Sequence, residues 1–185
     1  HPFWENAWFF SKPSFTMWLQ AAGMLLVGAN QGDGALSHAT EWGFRLPFVL
    51  MSIAAVSLTA YAVSRVVSRR AGLAVAFVLC TMPLYFLITR QAVTDTPVLT
   101  AMMLAMACAM VGQLDDATAH RSAWWYGFYV FCAVGTLAKG GLGFVIPGGV
   151  LILYGVLCVI PWTMESLQDH VEWLLRPVFR AEVDE

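Results

Sequence analysis

The chain has 185 residues, of which 59% are hydrophobic and only 12% charged, and its mean hydropathy is +0.67. A soluble domain carries roughly 25% charged residues, so a water-covered globule and a disordered chain are both excluded, and the composition is that of an integral membrane protein. Ten Lys and Arg against twelve Asp and Glu give a net charge of −2 without a basic stripe, which excludes a nucleic-acid binder.

The chain opens on His1, with no charged n-region of a signal peptide before the first apolar run. It therefore reads as a fragment of a longer protein. Residues 1–44 read as an outer-face loop containing one short helix, about 14–28. Its apolar part, Phe15–Gly28, is interrupted by Gln20 and is only 14 residues long, the length of an interfacial segment rather than a span. Trp4, Trp8, Phe9, Phe10 and Trp18 cluster around it like an aromatic belt. A juxtamembrane helix is expected.

Residues 45–162 read as a bundle of five spanning helices, at 46–64, 71–89, 96–114, 122–138 and 141–162. Nineteen uncharged residues, as in Leu46–Ser64, rise about 28 Å, close to the roughly 30 Å hydrocarbon core. The densest basic cluster, Arg65, Arg69 and Arg70, lies between the first two spans. Placing it in the cytoplasm fixes the rest by parity. Asp115–Arg121 and the tail are then cytoplasmic, and the turns at Arg90–Thr96 and Lys139–Gly143 face outward. Residues 163–185 read as a cytoplasmic amphipathic helix, with Met164, Leu167, Val171, Leu174 and Val178 at helical spacing, followed by an acidic end. Cys80, Cys108, Cys132 and Cys158 lie in apolar runs without CxxC spacing. They read as small packing residues, not as a disulfide or zinc set.

Where charge is this scarce, charges beside span ends carry information. Three outward places stand out: Ser11-Lys12-Pro13-Ser14, Arg90 through Pro97 with Asp95 inside, and Lys139-Gly140-Gly141-Leu142-Gly143. All three read as helix starts, where free N–H groups and the positive dipole end favour anions. Lys12 and Lys139 add point charges suited to phosphate, and the glycines admit a ligand close to the backbone. Asp95 or Thr96 is expected to cap the helix that Pro97 opens. Asp95 can also hold or deprotonate a hydroxyl. Each feature has a plainer reading: lysines at span ends snorkel, Asp95 is only a cap, or Arg90 and Asp95 pair across their turn.

The order of these stretches resembles the GT-C fold glycosyltransferases that use polyprenyl-phosphate sugars, a family that includes protein O-mannosyltransferases and the lipid A aminoarabinose transferase. The matching stretches are Lys12-Pro13-Ser14-Phe15-Thr16-Met17-Trp18-Leu19, Phe44-Arg45-Leu46-Pro47, Arg90-Gln91-Ala92-Val93-Thr94-Asp95 and Ala138-Lys139-Gly140-Gly141. The resemblance implies an all-α membrane fold and transfer of a sugar from an undecaprenyl or dolichyl phosphate to a protein, lipid A or glycan acceptor. It implies chemistry at the outer face of a bacterial inner membrane. Lys12, Lys139 and Gly140 would meet the donor phosphate, Asp95 would line the active site, and Arg90 and Arg45 would support it. Membrane lipids, the lipid-linked sugar and the acceptor are the implied partners.

The departures carry implications too. Ser11 replaces an acidic residue that often precedes the lysine, which weakens any divalent-metal contribution there. Ser14 and Gly141 replace prolines. The family's main catalytic aspartate lies upstream of the first lysine, and Glu5 is too close to match it. The fragment is therefore expected to begin after that aspartate and to be inactive alone. A transporter or flippase for lipid-linked or anionic substrates is the competing class. It predicts binding near the midplane at interrupted helices, a role open to Pro83 and Pro147. A structural subunit without a site would leave Lys12, Asp95 and Lys139 scattered.

Overall fold

A computed structural model describes residues 3–4, 7–8, 14–28 and 38–159. Among these the chain is helical apart from a two-residue antiparallel pairing of β1 (Phe3–Trp4) with β2 (Ala7–Trp8). Seven α-helices follow: α1 Phe15–Val27, α2 His38–Val66, α3 Arg69–Thr81, α4 Pro83–Arg90, α5 Asp95–Leu114, α6 Arg121–Lys139 and α7 Leu142–Tyr154. A π-helical turn, Gly155–Val159, continues from α7. The chain divides into two compact units, His1–Pro147 and Gly148–Glu185, and α7 begins in the first.

Helix α1 has 13 residues and ends at Gly28, whose left-handed φ of 70° closes the last turn through N–H bonds to Leu25 and Met24. Its length, about 20 Å, is short of a span. It packs on α2, where a Cβ added at Gly23 would sit 2.1 Å from the Gly43 carbonyl oxygen. Pro47 lies inside α2 and has no N–H to give that same i−4 carbonyl. The two backbones therefore meet where a helix bond is already missing.

Among the described residues two helices, Thr40–Val66 and Asp95–Leu114, are long and apolar enough to cross a membrane, and a third span exists if α3 and α4 count as one. The expected straight helix over 71–89 is in fact two helices bent by 63°. Pro83 opens α4, and Met82 before it is extended at φ −67°, ψ 115°. Proline's missing donor and its clash with the preceding turn account for the break. In α6, Trp124, Trp125, Tyr126 and Tyr129 lower the hydropathy of a helix that has 19 residues. The expected segment 141–162 extends past the described residues, and so does the amphipathic tail.

Helix α5 is the centre of the first unit, packed between α2 and α6. Its buried positions are mostly small: Ala101, Ala105, Ala107, Cys108, Ala109 and Gly112 among them. Small residues let membrane helices approach closely. Gly112 faces Trp124 and Trp125, and Gly127 faces Cys108. Cys108 and Cys132 are buried as packing residues, whereas Cys80 and Cys158 are exposed. Lipid-facing surface is plentiful: Trp18, Leu25, Leu73, Phe77 and Ile152 are all more than half exposed.

At one end of α5, Asp115 is 6% exposed and accepts three hydrogen bonds. They come from Arg65 Nε at 2.9 Å, Thr118 Oγ1 at 2.7 Å and the Ala117 N–H at 3.1 Å, with Arg65 Nη2 in ion-pair contact at 2.8 Å. This fastens the C-terminus of α2 to that of α5, so Arg65 and the Asp115–Arg121 loop share one end of the bundle. The Thr118 hydroxyl, with Arg65 and Ala117, holds the Asp115 carboxyl below its usual value against the opposing effect of desolvation.

Candidate functional site

The opposite end of α5 carries Asp95. The helix begins at Asp95 itself, after Thr94 at φ −60°, ψ −20°. Neither Asp95 nor Thr96 acts as the expected cap. Thr96 is fully buried and its hydroxyl donates to the carbonyls of Ile88 (2.8 Å) and Gln91 (3.0 Å). It thereby ties the start of α5 to the end of α4. Those carbonyls belong to the last turn of α4 and its C-cap, and that of Ile88 also accepts the Gln91 N–H at 3.1 Å. Gln20 Nε2 donates to the Ala92 carbonyl at 3.1 Å, so α1 holds the same turn from the other side.

With capping not required of it, the Asp95 carboxylate receives the Lys139 ammonium in an ion pair. The pair joins residues 44 apart in sequence. Lys139 ends α6, and the chain turns into α7 through Gly140 and Gly141 alone. Gly140 has φ 72°, ψ −152°, a conformation essentially reserved for glycine. The new helix starts at once, with the Gly143 N–H bonding Gly140 and those of Phe144 and Val145 bonding Gly141. A Cβ at Gly143 would lie 2.2 Å from the Gly135 carbonyl carbon, so α6 and α7 touch backbone to backbone directly below the turn. Lys139 therefore stands at a helix C-terminus with the N–H groups of the next helix beside it.

The pair is accessible, with side chains 57% (Asp95) and 44% (Lys139) exposed. An exposed ion pair contributes only about 0–1 kcal/mol, so it does not hold the fold together. It is chemically open instead. Asp95 has oxygens to spare, and the lysine can exchange one anion for another.

Of the other sequence candidates, Lys12 lies outside the described residues, as does Ser11. Arg45 pairs with Glu41 one turn earlier on α2 at 2.8 Å. Arg90 stacks on Phe86, 4.9 Å from the ring centre, rather than pairing with Asp95. Both arginines line one groove of about 900 Å³ between α2 and α4. Gln20 and Thr96 went unassigned in the sequence as supports of the Asp95 turn. Gln20, a polar residue inside an apolar run, was the available signal. Among the described residues no group of three His, Cys, Asp or Glu side chains stands ready to hold a metal ion.

Residues 11–176 match the family model described as dolichyl-phosphate-mannose-protein mannosyltransferase. The chain belongs to that family. Its fold is also similar to that of ArnT from Cupriavidus metallidurans. The apo crystal structure matches with a TM-score of 0.71 at 25% identity, covering 82% of this chain and 27% of that one. ArnT bound to undecaprenyl phosphate matches with a TM-score of 0.70, also at 25% identity, covering 82% and 26%. No curated protein matches. The chain thus spans about a quarter of the solved relative's length, within the GT-C membrane fold that family members share. The expectation of an all-α integral membrane protein of this family stands.

Proposed function

We propose that this chain carries part of the active site of a membrane glycosyltransferase that moves a sugar from a polyprenyl phosphate to an acceptor. The observation that carries the reading is the exposed Asp95–Lys139 pair at the α6–α7 turn. Family membership and the likeness to a protein solved with undecaprenyl phosphate support it.

In this reading the donor phosphate displaces the Asp95 carboxylate from Lys139. The ammonium, beside the positive dipole end of α7, takes up the phosphate charge as the bond between the sugar and the phosphate oxygen breaks. Asp95, released, accepts a hydrogen bond from a sugar or acceptor hydroxyl. The acceptor oxygen forms the new bond at the sugar carbon and its proton passes to a carboxylate. The polyprenyl phosphate leaves. Lys12 is assigned to the same phosphate. The acceptor is a protein, lipid A or a glycan, and the reaction faces the outer side of the inner membrane.

The break between α3 and α4 is the feature that favours a transporter, since discontinuous helices build midplane sites. The nearest hydroxyls are already used, however. Tyr85 donates to the Ser52 carbonyl and Ser52 to that of Phe48. Charges gather at helix ends instead, which favours surface chemistry.

The test is donor kinetics in the full-length enzyme. Lys139→Ala is expected to lower kcat/KM for the lipid-linked sugar by about 100-fold or more, the size of a lost charge-stabilising group. Asp95→Asn is expected to lower kcat more than it raises donor KM. Unchanged kinetics in both variants would sink the assignment.

A further inference from the structure

We propose that the groove between α2 and α4 holds one anionic bilayer phospholipid, with its phosphate on Arg90 and Arg45 and its acyl chains along α2. This goes beyond the sugar-transfer reading and does not depend on it.

Charge is the first argument. Arg45 is balanced by Glu41, whereas Arg90 has no carboxylate partner among the described residues and is held by its stack on Phe86. One unbalanced cation at the groove's end matches one phosphodiester anion. A guanidinium stacked on a ring keeps its N–H edge free for phosphate oxygens.

The wall is the second argument. Three of the groove's four hydroxyls bond internally: Ser52 to the Phe48 carbonyl, Tyr85 to that of Ser52, and Thr89 to that of Phe86, leaving Ser57 as the fourth. Between Arg45 and Ser57 the α2 wall presents apolar side chains, with Val49 39% and Ile53 58% exposed. Such a surface offers a lipid tail contacts without asking for a hydrogen bond.

Length selects the occupant. From Arg45 to Ser57, both of which line the groove, the rise along α2 is about 18 Å. One leaflet of hydrocarbon is about 15 Å deep, half of the roughly 30 Å core. The groove therefore fits a lipid whose tails end at the midplane. A polyprenyl chain of many isoprene units would run well past it.

The test uses the full-length protein in nanodiscs of equal phosphatidylglycerol and phosphatidylcholine, with retained lipid counted by native mass spectrometry after detergent extraction. One phosphatidylglycerol per chain is expected at the groove, favoured over phosphatidylcholine by about tenfold. Arg90→Gln is expected to bring that preference close to one. Ile53→Trp fills the groove from an exposed position and leaves the arginines in place. It is expected to remove one bound lipid relative to the parent, and it keeps the test alive if the arginine variant fails to fold. Equal retention of the two phospholipids overturns the proposal. So does a polyprenyl phosphate recovered in place of the phospholipid, or an Ile53→Trp variant that retains as much lipid as the parent, as a groove filled by protein would require.

Discussion

Helix α5 carries a carboxylate at each end, about 30 Å apart, and each meets a cation from another helix. Asp115 is buried and well partnered: three hydrogen bonds and an ion-pair contact, from three residues, converge on its two oxygens. Asp95 is more than half exposed and has Lys139. Burial makes a carboxylate costly unless its acceptor capacity is used, so Asp115 is spent on fastening α2 to α5 and has nothing left for a ligand. Exposure makes the Asp95 pair weak in stability and free to exchange. Occupancy, more than charge, separates the closed pair from the open one.

The sharpest way to break this comparison is to delete each carboxylate in turn and record the melting temperature of the protein in detergent. Asp115→Ala is expected to lower Tm clearly, because it strips a buried anchor and leaves Arg65 without it. Asp95→Ala is expected to cost at most about 1 kcal/mol. Equal Tm losses at the two ends would erase the distinction.

Acid titration sharpens it further. The Asp115 carboxyl lies below its usual value in the folded protein, so its proton is bound more tightly in the unfolded state. Its stabilising effect is complete above the unfolded value of about 3.9 and is lost as pH falls through the lower, folded value. Urea unfolding across that acidic window is expected to show falling stability in the parent and a flatter profile in Asp115→Asn. A parent profile as flat as the variant's would remove Asp115 as the anchor.

Two smaller effects concern the supports of the exposed end. Gly140→Ala places a Cβ on a glycine-only conformation and is expected to destabilise the α6–α7 turn by about 1–3 kcal/mol, with donor KM rising as Lys139 shifts. Gln20→Leu removes the bond to the Ala92 carbonyl and is expected to cost about 1 kcal/mol, read as a small fall in Tm. A glycine-like tolerance at 140, or a neutral Gln20→Leu, would show that the turns hold themselves.

Much of this was legible in the sequence because membrane solvent leaves few choices. Apolar run lengths marked α2 and α5, and the residues Arg90 through Pro97 and Lys139 through Gly143 marked the two turns. Scarce charge pointed to Lys12, Asp95 and Lys139 on one face, of which Asp95 and Lys139 meet, and the motif order pointed to the family. The α3–α4 break was less legible, since a proline in a span kinks or breaks it according to its surroundings. The cap assignment failed because the Thr96 hydroxyl turned back to the Ile88 and Gln91 carbonyls at the end of α4, a bond across the turn that helix-cap spacing does not encode. Arg90 was read against its sequence neighbour Asp95, yet an aromatic ring one turn back, Phe86, took it.

The backbone contact between Gly135 and Gly143 has a consequence for how the chain folds. Only the Gly140–Gly141 link separates α6 from α7, so the loop that must close to bring them together is very short and its entropic cost is small. The contact is local and made by backbone, with Ala101 of α5 beside Gly135. Lys139 is therefore placed by a short backbone link as well as by its meeting with Asp95. Exchange of the exposed ion pair would leave that backbone corner standing.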